Sequence, residues 1–323
     1  MKLQFLIPQY KETDVIVKPL LDSIAIQQNV PFDEIGAVIC NDGSDVYLSE
    51  DFLLSYPFEI EYHKEPHRGV SATRNACLDY STADYVMFCD ADDMFYNACG
   101  LWIIFREMSS GFDSLTSAFI EEMRIDDEHS EYITRNIDST FVHGKVHRRG
   151  YLIDQGIRWN DSLTIHEDSY FNILCQNLST NVKYSPTPFY LWKWRDDSVC
   201  RHDPKYILKT YNNMLDSNDA LVDEFLKRGV FDKARFYTAS MVMDAYYTMN
   251  KPEWINQENR EYRDATEKRF SVYFAKHKSL WDEVSAQDRM ILSNGIRGRS
   301  INEGMQMENI TLDDWISAVE SLD

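Results

Sequence analysis

The sequence predicts an α/β protein: a mostly parallel β-sheet flanked by helices, followed by a C-terminal all-helical region. Over the first hundred residues, short apolar runs alternate with segments of helical periodicity, which is typical of parallel strands joined by crossover helices. Polar motifs follow those apolar runs directly, at the strand ends where open α/β sheets bind ligands. Beyond Pro204 only helical periodicity remains.

Each element is predicted from its own pattern. Helical spacing of apolar residues predicts a helix at 14–28, and Gly69 is expected to precede another at 70–80. Two further helices are predicted at 149–155 and 169–177. Strands are predicted at 3–7, 35–40, 59–63, 85–89, 114–123 and 131–137.

The last third of the chain is predicted to form five helices. Thr311 and Asp314 have the spacing of a capping box, so the final helix should start there and end near residue 322. The other four helices are predicted at 205–228, 232–249, 260–277 and 279–292. The change of character places a domain boundary near residue 203, giving domains at 1–203 and 204–323.

Composition excludes several classes of protein. The chain has 323 residues, and 33 Lys and Arg against 53 Asp and Glu give a net charge of −20, which disfavours nucleic acid as a partner. Its apolar runs are far shorter than the roughly 18–20 residues that span a bilayer, so no transmembrane segment is predicted. Six cysteines without a C-x-x-C pair suggest reduced thiols and a cytoplasmic location.

The acidic run Asp90, Ala91, Asp92 and Asp93 is the strongest chemical signal. Three carboxylates at the end of an apolar strand repel one another and are partly desolvated unless a cation neutralises them. Mg²⁺ or Mn²⁺ suits such a site because each prefers oxygen ligands and fills its remaining positions with phosphate oxygens and water. A solvated acidic loop is the alternative.

Three further motifs suit a nucleotide. Pro8 sets a turn from which Tyr10 can stack on a planar base, and Asp42 can accept a hydrogen bond from a ring N–H such as that of uracil. Arg74 lies in the first turns of a helix preceded by glycine, which suits a diphosphate. The alternatives are an ordinary strand-to-helix turn, an Asx turn and a surface arginine, respectively.

Two later segments carry candidate catalytic and ligand-binding groups. Glu167 and Asp168 lie at the start of a predicted helix. Either one of them acts as a general base, or both carboxylates cap the helix and interact with its dipole. Further along, Trp194 can pack on a sugar ring, while cationic side chains can hold a leaving diphosphate. The latter are Arg195, Arg201 and His202, with His202 also a candidate metal ligand.

These motifs, in this order, resemble the family 2 glycosyltransferases of the GT-A fold over about residues 1–203. The resemblance implies an inverting transfer without a covalent sugar–enzyme intermediate. It implies Asp168 as catalytic base, with Glu167 as the alternative, and the segment from Trp194 to His202 as a region that closes over the diphosphate. The implied nucleotide site comprises Pro8, Tyr10, Glu12, Asp42, Arg74, Asp90 and Ala91; the implied metal site comprises Asp90 and Asp92, with Asp93 beside them.

The sequence therefore predicts a metal-dependent transferase using Mn²⁺ or Mg²⁺ to move a sugar from a nucleotide-sugar, with UDP favoured, to an acceptor hydroxyl. Surface glycan synthesis is the expected setting, in the cytoplasm or peripherally at a membrane. The helical region would serve as an acceptor platform or a homodimer interface. Gln9 departs from the family pattern, and His67 fits none.

Three other functions are compatible with parts of this pattern. A nucleotidyltransferase would show a glycine-rich loop after the first strand, where this chain has none. A catalytically silent nucleotide-sugar-binding scaffold would not need both Asp168 and the acidic run. Glycosylation of a modified nucleobase in DNA is the third.

Overall fold

The computed structural model describes residues 1–136, 138–196, 203, 205–304 and 311–321. These residues divide into two compact units, Met1–Ser198 and Val199–Asp323. Among the described residues, the first unit contains eleven strands and six α-helices, and the second contains six α-helices.

The first unit is built around a seven-stranded sheet. Strands β1, β2, β3 and β4 lie side by side and run parallel, because the helices that follow β1 and β3 return the chain to the starting edge. β9 is antiparallel to both of its neighbours, β4 and β6. The order across the sheet is β10-β6-β9-β4-β1-β2-β3, with bounds β1 Leu3–Gln9, β2 Ile35–Asp42, β3 Glu59–Glu65, β4 Tyr85–Phe88, β6 Ser114–Ser117, β9 Lys145–Arg148 and β10 Val182–Ser185.

The same unit contains a second sheet, which has four strands. Its order is β5-β11-β7-β8, and only β7 and β11 pair in parallel. The bounds are β5 Met94–Phe95, β7 Phe119–Arg124, β8 Ser130–Arg135 and β11 Tyr190–Trp192.

The helices of the first unit cover the large sheet. Val17, Leu20, Leu21 and Ile24 of α1 are fully buried with Leu3, Phe5 and Ile7 of β1 in one apolar core. The bounds are α1 Asp14–Ala25, α2 Glu50–Leu54, α3 Val70–Tyr80, α4 Gly100–Met108, α5 Arg149–Asp154 and α6 Glu167–Asn177.

The second unit has a core of its own, in which Trp254 and Trp315 are almost completely buried. The bounds are α7 Tyr206–Lys227, α8 Phe231–Met249, α9 Pro252–Ile255, α10 Arg260–Asp282, α11 Ala286–Asn302 and α12 Leu312–Glu320. Within the described residues, no helix is both long and apolar enough to cross a membrane. The five described cysteines are free thiols, four of them buried.

The fold class is confirmed, and α3 matches its predicted bounds. The capping prediction at the last helix is also confirmed, because the Thr311 hydroxyl accepts a hydrogen bond from the Asp314 backbone N–H.

Three predictions of element bounds were wrong. The single strand at 114–123 is two strands, Ser114–Ser117 and Phe119–Arg124, which belong to different sheets and are separated at Ala118. The helix at 260–277 continues to Asp282, and the next begins only after Ser285, whose hydroxyl accepts from the Asp288 N–H. The helix at 14–28 stops at Ala25.

Candidate functional site

The polar motifs after β1, β2 and β4 meet because these strands are parallel neighbours whose carboxyl ends share one edge of the sheet. They surround a cavity of about 310 Å³. Seven of the predicted residues line it: Pro8, Tyr10, Glu12, Asp42, Asp90, Ala91 and Asp92. Five unpredicted residues complete the lining: Gln9, His67, Gly69, Val70 and Thr73.

The turn after β1 is held by the buried side chain of Gln9. Its amide donates to the Glu12 carbonyl at 2.8 Å and to the Val46 carbonyl at 3.2 Å. The Glu12 carboxylate in turn accepts from the Tyr10 N–H at 2.5 Å, and burial raises the pKa of Glu12. The residue that departs from the family pattern therefore fastens the turn that carries Tyr10 and Glu12.

Asp42 is oriented by the loop that precedes α3. One carboxylate oxygen accepts from the Arg68 N–H at 2.8 Å, and the other accepts from the Gly69 N–H at 3.0 Å. The His67 ring bonds the same carboxylate at 2.9 Å and stacks on Tyr10, with 4.8 Å between ring centroids. Gly43 is required there, since its φ is +70° and a Cβ would lie 2.3 Å from the His67 nitrogen.

Asp90 and Asp92 experience opposite electrostatic environments. Burial alone would raise the pKa of Asp90, but the positive charge of Arg74 outweighs it and the pKa falls below its usual value. Burial and the Asp90 charge together raise the pKa of Asp92, although Arg195 donates to its carboxylate at 2.9 Å. Arg195 also lies 3.6 Å from the Glu12 carboxylate. One guanidinium thus partly neutralises two carboxylates of the cavity.

Asp93 turns away from the cavity into the protein. Its side chain is 1% exposed and accepts from the Tyr190 hydroxyl and the Lys193 N–H, each at 2.9 Å. Burial and the charges of Asp92 and Asp90 raise its pKa. Tyr190 also accepts from the Asp90 N–H at 3.1 Å, so these bonds tie the acidic run to β11.

Arg74 lies buried beneath the site and does not line the cavity. Its guanidinium donates to Asp90 at 2.9 Å and to Glu167 at 2.9 Å, and it stacks over the Trp159 ring at 4.4 Å. Burial alone would lower the pKa of Arg74, but the two carboxylates raise it further above its usual range. The arginine predicted for the diphosphate therefore joins the acidic run to the start of α6.

Asp168 lies in the first turn of α6, just after Glu167. The preceding residue, His166, adopts a left-handed backbone with φ of 62°, a conformation that a non-glycine residue rarely takes. Burial and the neighbouring charge of Glu167 raise the pKa of Asp168 to about 7, against the opposing charge of Arg74. A carboxylate with this pKa can gain and lose a proton at neutral pH.

Among the described residues, two clusters bring together three side chains of types that can bind a metal ion. In the helical unit, Asp219, Asp223 and His277 converge, but Arg269 at 3.0 Å and Lys276 at 2.7 Å already neutralise Asp219. The second cluster comprises Asp90, Asp93 and His143, in which Asp93 is held by Tyr190 and Lys193. Asp90 and Asp92, in contrast to Asp93, line the cavity.

Of the candidate ligands between Trp194 and His202, the structure describes Trp194 and Arg195. The Trp194 indole donates to Asp196 at 3.1 Å and its backbone N–H donates to Glu122 at 3.0 Å. Arg201 and His202 lie outside the described residues.

The carboxyl edge of the parallel sheet thus gathers a stacking tyrosine, a fixed aspartate and an acidic run, which is typical of α/β proteins that bind nucleotides. Residues 5–100 match the family described as Glycosyl transferase family 2. This segment is less than a third of the chain, and it is similar to a family 2 glycosyltransferase domain.

One curated relative is the minor teichoic acid biosynthesis protein GgaB of Bacillus subtilis (strain 168). It is 26% identical over 166 residues, which cover 45% of this chain and 18% of GgaB. The match therefore spans less than a fifth of that relative.

Similar solved structures share the fold across nearly the whole chain. S. aureus TarS 1–349 aligns with a TM-score of 0.64 and 16% identity, covering 100% of this chain and 91% of TarS 1–349. The same protein has been solved with UDP and with UDP-GlcNAc. The mannosyltransferase PcManGT from Pyrobaculum calidifontis, solved with GDP-Man and Mn²⁺, aligns with a TM-score of 0.52 and 12% identity, over 99% and 84% of the two chains.

Proposed function

We propose that the chain is an inverting, metal-dependent glycosyltransferase that moves a sugar from a UDP-sugar to an acceptor hydroxyl. The observation that carries this proposal is the pair of hydrogen bonds made by the buried Arg74 guanidinium. One goes to Asp90, which lines the cavity, and the other goes to Glu167, which directly precedes Asp168. Donor-binding carboxylates and a base of suitable pKa are thereby linked in one network. The relatives solved with UDP and UDP-GlcNAc support the choice of donor.

The nucleoside end of the donor is assigned to Tyr10, His67 and Asp42, with Pro8, Glu12 and Ala91 bordering it. Because three donors from residues 67–69 fix the Asp42 carboxylate, its remaining lone pairs are preoriented toward a ring N–H of uracil. The Tyr10 and His67 rings are only 4.8 Å apart, which leaves no room for a base between them, so the base would stack on an outer face.

The residues of the acidic run fit Mg²⁺ or Mn²⁺, because Asp90 and Asp92 line the cavity and have hard carboxylate oxygens. Burial and the Asp90 charge disfavour the ionised form of Asp92, which a bound cation would stabilise. Such an ion, when bound, supplies positive charge against the departing diphosphate. Arg195 would add to that charge, and Asp93 would hold the run in place. Trp194, Arg201 and His202 remain proposed ligands of sugar, diphosphate and metal.

Asp168 would accept the proton of the acceptor hydroxyl as that oxygen attacks the anomeric carbon from the face opposite the leaving group. Direct displacement inverts the configuration at that carbon, and the proton ends on the Asp168 carboxylate. Glu167, bonded to Arg74, would orient the first turn of α6 and stays the alternative base. The left-handed His166 backbone fixes the direction in which this turn begins.

For the wider setting we propose surface glycan synthesis in the cytoplasm or at a membrane surface, supported by the name of the relative GgaB and by the free cysteines. Residues 1–203 would form the catalytic domain. Residues 204–323 would form an acceptor platform or a homodimer interface.

Metal-dependent donor binding is expected to require Asp92. In wild type, Mn²⁺ should enlarge the rise in melting temperature produced by UDP, because a ligand that binds only the folded state stabilises it. Asp92→Asn should lose the Mn²⁺-dependent part, with UDP affinity reduced about tenfold or more. Thermal shift with UDP, with and without Mn²⁺, measures this. Asp127→Asn, at an exposed aspartate, is the control, and an unchanged Mn²⁺ effect in Asp92→Asn would refute the assignment.

The rate of transfer is expected to fall as pH drops below about 7. Asp168 acts only when ionised, and its raised pKa of about 7 places the loss of the active form in that range. The single-turnover rate at saturating donor should therefore decline about tenfold per pH unit on the acid side. A rate that stays constant from pH 5.5 to 8 would show that a different group accepts the proton.

A further inference from the structure

Lys145 is a fully buried lysine that the proposed chemistry leaves without a role. It lies on β9, and its side chain is among the largest that are completely buried, with 1% of the residue exposed. A buried ammonium costs several kcal/mol unless charges and hydrogen bonds compensate it. Its surroundings should therefore explain its presence.

The Lys145 ammonium forms a hydrogen bond next to α6, the helix that contains Asp168. It donates to the Phe141 carbonyl, and the Asn172 side chain donates to that same carbonyl at 3.0 Å and to the Thr140 carbonyl at 2.9 Å. Asn172 follows Asp168 by four residues on α6, so the two lie on the same face, one turn apart. The shared acceptor thus places the ammonium beside α6, one turn after Asp168.

The charged groups around Lys145 come from three segments. Asp138 accepts from the Thr140 N–H at 2.6 Å and shapes the loop that ends at Lys145, while Asp168 faces it from α6. Two titratable neighbours are neutral: burial and the Lys145 charge lower the pKa of His147 to about 3, and burial raises the pKa of the Cys175 thiol. Burial lowers the pKa of Lys145 to about 8, so it is still mostly charged at pH 7.

Asp168 in turn is faced by Glu167, Arg74 and Lys145. Burial and Glu167 oppose its ionisation, whereas Arg74 and Lys145 favour it. Arg74 is already shared between Asp90 and Glu167. Lys145, by contrast, has Asp138 and Asp168 as its carboxylate neighbours.

We propose that Lys145 is a positioning residue for Asp168: a buried ammonium, tied through the Phe141 carbonyl to Asn172, that holds the first turn of α6 and favours the ionised Asp168 carboxylate. This inference rests on the proposed function, in which Asp168 is the base. Lys145 itself would touch neither donor nor acceptor.

The test is a pH titration of the Asp168 carboxyl carbon by NMR, on the full chain labelled with ¹³C-aspartate, without donor or metal. Asp168→Asn identifies the signal. In Lys145→Met the titration midpoint should rise by about half a pH unit or more, because the side chain keeps its length and loses its charge. In the control Lys183→Met, which removes an ammonium bonded to the Glu107 carbonyl at 3.0 Å, the midpoint should stay unchanged.

A reciprocal measurement covers the case in which Lys145→Met does not fold. Coupling between two titrating sites is mutual, so Asp168→Asn should lower the Lys145 midpoint, read from ¹³C-labelled lysine. An unchanged Asp168 midpoint in folded Lys145→Met, or an unchanged Lys145 midpoint in Asp168→Asn, overturns the proposal. Because neither titration involves a sugar donor, these outcomes are separate from success or failure of the transferase assignment.

Discussion

Asp168→Asn is expected to lower the turnover of a UDP-sugar by about 10²- to 10⁴-fold, the usual contribution of a general base, while donor affinity stays within about twofold. The amide keeps the shape of the carboxylate but cannot accept the acceptor proton. Single-turnover rates give the first quantity, and calorimetric titration with UDP and Mn²⁺ gives the second. Asp154→Asn, at an exposed aspartate near the end of α5, is the matched control. Equal losses of rate and donor affinity would contradict the base assignment.

The same substitution should stabilise the fold. The pKa of Asp168 is raised from 3.8 in the unfolded chain to about 7 in the folded one, so ionising it at neutral pH opposes folding. An uncharged asparagine removes that penalty, and the free energy of unfolding at pH 7.5 should rise by on the order of 1 kcal/mol or more. Below about pH 3, where Asp168 is protonated in both states, the gain should vanish. Denaturant melts at the two pH values measure both effects.

Arg74→Met should have the largest effect on stability, a loss of about 3–5 kcal/mol, because it leaves the partly buried carboxylates of Asp90 and Glu167 without their cation. Arg74→Lys should recover little, since one ammonium cannot present two separate nitrogens to two carboxylates. Urea unfolding measures the loss.

The control for Arg74 is Arg158→Met, which breaks a bidentate pair with Asp79 at 2.6 Å. That arginine side chain is 36% exposed, so its loss should cost at most about 1 kcal/mol. Similar costs for the two arginines would show that the Arg74 bridge is not a central support of the site.

The cavity could be predicted because its residues follow parallel strands. In the sheet, β1 lies between β4 and β2, and all three run parallel, so their carboxyl ends bring Tyr10, Asp42 and Asp90 to the same edge. The α3 bounds were also readable, since Gly69 with φ of +90° starts the helix and the residues after it are helix-compatible.

The position of Arg74 could not be predicted, because its partner Glu167 lies 93 residues further along the chain. Helical spacing shows that Arg74 can face inward or outward, but only the packed structure decides. His67 was missed for a similar reason. Its ring bonds Asp42, which lies 25 residues earlier, and stacks on Tyr10, which follows a different strand.

The bounds of α10 and α11 were misplaced because no glycine or proline marks the break between them. α10 ends at Asp282, and the N-terminus of α11 is capped by the Ser285 hydroxyl, which accepts from the Asp288 N–H. The buried Lys145 likewise leaves no sequence signal, since a lysine between apolar residues suits an exposed strand position as well as a buried one.

Release of free UDP from UDP-sugars in the presence of Mn²⁺ tests the central claim most directly. UDP-GlcNAc and other UDP-sugars would be incubated separately with wild type, Asp168→Asn and Asp92→Asn, with and without a chelator. We expect wild type to release UDP from at least one donor, and we expect the chelator and either substitution to abolish this release. Release that persists with the chelator or in both variants, or no release from any UDP-sugar, would contradict it.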